Sequence, residues 1–101
     1  MHQHFTMFII LLRFSSRQSE APQFMAGHKQ WLSRGFDDGV FLLAGSLASA
    51  QGGCLLAHGV TLAEIQQRVQ EDPFVAERVV TAEIIELDPG MADPRLQFLV
   101  S

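Results

Sequence analysis

MFIILLRF, residues 7–14, is short, rich in Phe and Ile, and almost continuously apolar. That is the pattern of a central strand covered on both faces. Phe8, Ile10 and Leu12 alternate with Met7, Ile9 and Leu11, so the strand offers apolar side chains to both sides of the sheet it joins. The run cannot cross a bilayer, because Arg13 interrupts it far short of the ~20 apolar residues a membrane helix needs. No membrane partner is expected. A secretory leader is not indicated either, since Met1–Thr6 carries His2 and His4 but no Lys or Arg. Residues 1–6 are read as a disordered extension outside the fold.

Outward from this strand, the polar stretch Ser15–Glu20 ends it, and Pro22 suits the first turn of a helix. Phe24, His28, Trp31, Leu32, Gly35 and Phe36 then recur at helical spacing, which predicts an amphipathic helix to about Asp38, closed by Gly39. Val40–Ala44 (VFLLA) and Cys54–His58 (CLLAH) read as two strands of an antiparallel hairpin, with Gly45–Gly53 as its turn. Thr61 followed by Glu64 is a capping box, opening a second helix with Leu62, Ile65 and Val69 on one side. Asp72-Pro73 stops that helix, because the residue before proline is pushed out of helical geometry. Val79–Leu87 is a β-branched fourth strand, Asp88-Pro89-Gly90 a turn, and Met91–Ser101 a tail with Leu96, Phe98 and Leu99 free to dock.

The order is βαββαβ, an α+β ferredoxin-like domain over residues 7–90 with both helices on one face of a four-stranded antiparallel sheet. In a monomer the second apolar face of the first strand would be wet. A homodimer formed through the sheet faces is the simplest cover.

Composition narrows the functional classes. The 101 residues, 48% hydrophobic and 18% charged, make one packed domain. A net charge of −4, with no Lys/Arg cluster, lacks the basic footprint of a nucleic-acid binder. Cys54 is the only cysteine, so no internal disulfide forms, which fits a reducing, cytoplasmic setting. Cys54 and His58 share a strand face but are too few ligands for a metal site. Neither metal nor cofactor is expected.

Two residues stand out for chemistry. His28 lies inside an apolar stripe, and imidazole is the side chain best suited to move a proton near neutral pH. A histidine so placed is more often a core residue bonded to backbone or water. Asp72, at the end of the helix packed beside the first, can aim its carboxylate at the helix–sheet cleft. There it would orient His28 as a general acid/base. The plainer reading is a turn residue before proline.

The stretches MFIILLRF, HKQWL (28–32), FLLAGS (41–46), the Gly52-Gly53 pair and EDPF (71–74) together resemble the YciI-like family of small bacterial proteins. The resemblance implies a ferredoxin-like fold, a dimeric α/β barrel related in architecture to muconolactone isomerase, and an active-site pair that corresponds here to His28 and Asp72. It further implies a cofactor-independent lyase or isomerase. Relatives eliminate HCl from chlorinated hydroquinones and, more distantly, isomerise lactones. Many relatives have Ala-Gly-Pro after the second strand, where this chain has Ala44-Gly45-Ser46, so Ser46 adds a hydroxyl that can meet a ligand. Gly45 lets backbone amides approach a bound anion, though hairpin glycines are more often only geometric, and Arg34 or Arg13 can neutralise a carboxylate or phenolate substrate, though each is more often a solvated charge. The competing functional class is a non-catalytic dimeric module that binds a small ligand or another protein.

Overall fold

The computed structural model describes residues 6–100, and in it the doubly apolar strand Met7–Phe14 (β1) is paired on both sides, as its sequence requires. Gly52–Ala57 (β3) and Val80–Leu87 (β4) flank it, both antiparallel, and Phe41–Ser46 (β2) lies outside β3, giving the order β2-β3-β1-β4. Helix Ala21–Asp37 (α1) connects β1 to β2, and Leu62–Gln70 (α2) with the short Pro73–Ala76 (α3) connects β3 to β4. This is the ferredoxin-like α+β arrangement. No helix among the described residues is long and apolar enough to cross a membrane.

Alternation along β1 divides its side chains as expected. Phe8, Ile10 and Leu12, under the helices, are fully or almost fully buried and join Trp31, Phe41, Leu55, Ile65, Val69 and Val79 in one core. The Trp31 indole Nε1–H also donates to the Arg68 carbonyl at 2.9 Å, tying α1 to the last turn of α2. On the opposite face the register lines up Leu43, Leu56, Ile9 and Ile85, an apolar row across all four strands whose outer members are 58% and 38% exposed.

Local signals explain most element ends. The Thr61–Glu64 capping box forms in both directions at the start of α2. Because the Glu64 carboxylate accepts the Thr61 backbone N–H, its pKa is held below the ordinary glutamate value. The stability it contributes is therefore present at neutral pH and lost as pH falls through the folded-state value. Two expectations need correction. The hairpin strands run further into the Gly-containing stretch: Gly45 pairs with Cys54 and Ser46 with Gly53, leaving Leu47–Gln51 as the turn. Backbone pairing does not depend on the side chains whose absence had suggested a loop. Asp72-Pro73 also does more than end α2, since Asp72 caps α3 with Pro73 in its first turn.

The expectation of disorder at the N-terminus lies outside the described residues, except for Thr6, whose hydroxyl donates to Glu86. In the tail, Pro94–Leu99 forms 3-10 turns, and the Phe98 ring meets His58 edge-on at 5.4 Å.

Helix α1 packs tightly on the sheet at Gly35, where a Cβ would lie 2.1 Å from the Phe41 ring. Gly35→Ala is therefore expected to destabilise the domain by about 1–3 kcal/mol, through ring displacement, as measured by denaturant unfolding. A variant as stable as the parent would mean that α1 seats differently.

Candidate active site

Asp72 occupies the last extended position before Pro73, with φ −66° and ψ 122°, and its side chain folds back over the start of α3. Oδ1 accepts the Phe74 backbone N–H at 3.0 Å, which fixes the orientation of the carboxylate. The same oxygen lies 2.8 Å from Nδ1 of His28, although the two residues are 44 positions apart in the chain. Since Oδ1 already acts as acceptor for Phe74, it accepts from the ring too, and the imidazole proton sits on Nδ1. Asp72 is fully buried, and its Oδ2 has no partner.

Packing fixes the imidazole plane. The Phe74 ring stacks on it at 4.1 Å and 7°, and Trp31, one turn further along α1, stacks less closely at 5.9 Å. The His28 side chain keeps 14% exposure. Nε2 is neither bonded nor among the buried unpartnered atoms, so it is the ring nitrogen open to solvent. One turn of chain, Asp-Pro-Phe, thus supplies both the carboxylate that orients the ring and the aromatic face that holds it.

His28 borders a cleft of about 580 Å³ between α1 and the β2–β3 end of the sheet. The cleft exists because the helix-facing positions there are small. Ser46 and Gly53 stand beside Leu12 in register, whereas the row at the other end is Phe41, Ala57 and Phe8. Leu12, Phe14, Leu32, Phe74 and Val80 make the walls apolar, and Ser46 and Gly45 border the opening with the loop residues Leu47 and Ala50. Ser49 and Ala50 adopt left-handed conformations, with φ of 62° and 55°, to complete the tight turn at this rim.

Of the residues suggested by sequence, His28, Ser46 and Gly45 line this cleft, and Asp72 stands behind the first. Arg34 does not. It is exposed near the end of α1, on a different side of the helix from His28, and does not line the cleft. Arg13 is paired with Glu83 at 2.7 Å, and its register places it on the face away from the helices. The cationic residue that does line the cleft is Lys29. Its signal was available: Met25, Lys29 and Leu32 follow helical spacing beside His28, but a stripe scored by hydrophobicity passes over a lysine. No three His, Cys, Asp or Glu residues among those described are grouped to hold a metal.

No family model and no curated protein matches the sequence. Among solved structures the outcome differs. The chain shares the fold of a dehydrochlorinase. That structure is the 5-chloro-2-hydroxyhydroquinone dehydrochlorinase TftG from Burkholderia phenoliruptrix AC1100, in complex with 2,5-dihydroxybenzoquinone. The likeness covers 78% of this chain and 90% of that one, with a TM-score of 0.68 and 14% sequence identity. It establishes a common architecture with that enzyme.

The hydrogen bonds at Asp72 make a distinctive tautomer prediction. In Asp72→Asn the Phe74 N–H still requires an oxygen at the Oδ1 position, so the amide nitrogen takes the Oδ2 position and Nδ1–H of His28 keeps its acceptor. Ring 15N shifts are expected to show the Nδ1–H tautomer in this variant, and a mixture of tautomers in Asp72→Ala. An Nε2–H tautomer in the Asn variant would contradict the geometry.

Proposed function

We propose that the protein is a cofactor-independent acid/base enzyme of the lyase or isomerase type, acting on a compact organic molecule in the cleft beside His28. The observation that carries this reading is the 2.8 Å contact between His28 Nδ1 and a fully buried Asp72, next to a cavity of about 580 Å³. A volume of that size suits a small-molecule ligand. The shared fold with a dehydrochlorinase supports the same class of chemistry.

In this reading Nε2 of His28 takes a proton from the bound molecule, and the Asp72 carboxylate stabilises the imidazolium that forms. For elimination, the electron pair of the broken C–H bond moves into the substrate and expels chloride, and the imidazolium later releases its proton to solvent. The net loss is HCl. For isomerisation, the imidazolium returns the proton to a different carbon and nothing leaves. Neither route changes the oxidation state of the protein. The apolar walls keep water from the carbanion or enolate, while the Ser46 hydroxyl and the backbone at Gly45 meet polar substituents.

The protein is further proposed to act as a homodimer, in the cytoplasm, where Cys54 stays reduced. The row Leu43–Leu56–Ile9–Ile85 supports face-to-face pairing of two sheets, which would bury it and produce a dimeric α/β barrel.

Two measurements test these readings. With a panel of halogenated hydroquinones and unsaturated lactones, the expected result is chloride release or solvent deuterium incorporation that His28→Ala lowers by about 10²–10⁴-fold. Turnover unchanged in His28→Ala would overturn the assignment. In sedimentation equilibrium, a dimer at micromolar concentration is expected, and Ile9→Glu with Ile85→Glu should give monomers with unchanged secondary structure. A parent that is monomeric would refute the sheet-to-sheet pairing.

A further inference from the structure

We infer that the cleft selects organic oxyanions, carboxylates or phenolates of about one ring, and that Lys29 is the residue that selects them. The inference rests on the acid/base reading of the cleft and adds the charge of its substrate.

Lys29 is the only lysine in the sequence. Among the described residues, it and His28 are the only ionisable side chains lining the cleft, and no acidic group is in the lining. The chain as a whole is acidic, with eleven Asp and Glu against seven Lys and Arg, so the absence of carboxylates at this surface runs against composition. Elsewhere, four of the six arginines are neutralised by a carboxylate, whereas Arg34 and Arg78, which lie outside the cleft, have no ion pair among the described residues. Arg13, Arg17, Arg68 and Arg95 each contact a carboxylate, at 2.7, 2.7, 2.8 and 2.9 Å. Lys29 has no hydrogen-bond or ion-pair partner among the described residues.

An unpaired ammonium beside low-dielectric walls is an attractive partner for an anion. Its field is screened less on the protein side than at an open surface. The position also suits the chemistry. Lys29 follows His28 directly on α1, and both line the same cavity, so an anionic group held by one places the neighbouring carbon or hydroxyl near the other. When His28 removes a proton next to a carbonyl or from a phenol, the negative charge that develops is on oxygen. A lysine in that position stabilises this charge as well as the ground-state anion. The Ser46 hydroxyl across the opening adds a neutral donor.

The test uses benzoate and benzamide, two probes of the same shape that differ in charge. Binding is followed by NMR titration, read at the His28 ring protons. The parent protein should bind benzoate about tenfold more tightly than benzamide, and added salt should erode the difference. Lys29→Met should reduce benzoate to the benzamide level while leaving benzamide unchanged, and Lys29→Arg should retain the preference. Lys29 is exposed, so neither variant is expected to unfold, and circular dichroism checks this. Equal affinities in the parent, or a benzoate preference that survives Lys29→Met, would overturn the role of Lys29 and leave the acid/base reading intact. If neither probe perturbs His28, the inference and the reading of the cleft as a ligand site both fail.

Discussion

The contact between the Asp72 carboxylate and the His28 imidazole is the constraint around which the helical layer is built. A fully buried carboxylate is among the most costly groups to place in a core, and here only one of its oxygens is satisfied. A buried polar atom without a partner costs about 1–3 kcal/mol, a large share of the roughly 5–15 kcal/mol that holds a domain together. A sequence selected for stability alone would place an apolar residue there. Three devices limit the cost: Pro73 sets the backbone, the Phe74 N–H anchors Oδ1, and the stacked rings of Phe74 and His28 keep the bond aligned. All of them hold Nδ1 of His28 against the carboxylate while the residue borders the cleft, which is what the proposed acid/base role would require.

The same helix forms core at one end and cavity at the other, and side-chain size decides which. Near the C-terminal end of α1, Gly35 lets the backbone press directly on Phe41, and Trp31 fills the space toward α2. Around His28, the sheet beneath offers Ser46 and Gly53, which are too small to fill the volume. A uniformly large floor would have yielded a more stable domain with no place for a guest. The glycines and the serine at this end of the hairpin thus shape the cleft even where they make no polar contact, and the tight turn that joins the two strands defines its rim.

How much of this could be read from the sequence depended on the range over which each signal acts. The apolar alternation of residues 7–14 and the Thr61–Glu64 box are local, and both lead directly to the observed elements. Proline after Asp72 gave the break in the helix, but not the extra turn that follows, because a four-residue helix has no periodicity to detect. The strand ends at Ser46 and Gly52 were hidden for a related reason: glycine and serine carry turn propensity, while the cross-strand hydrogen bonds that override it come from a partner strand. Arg34 and Lys29 show the limit for site residues. Both lie on α1, and helical spacing sets Lys29 nearer to His28 than Arg34, but a stripe scored by hydrophobicity passes over both, and it takes the sheet beneath the helix to show which borders the cavity.

β1 links the two faces of the protein. Leu12 belongs to the cleft and Ile9 to the row on the open face, so their side chains do different work along one backbone. Strands twist and shift as units, because each ladder bond constrains its neighbours on both sides. Pairing of the open faces between two copies, as proposed, would therefore stiffen the floor of each cleft without contributing a side chain to it. The proposed pairing would also account for the apolar character of β1. A strand supporting a core on one side and such an interface on the other would have no solvent-facing position to spare for a polar residue until Arg13, at its far end, reaches Glu83.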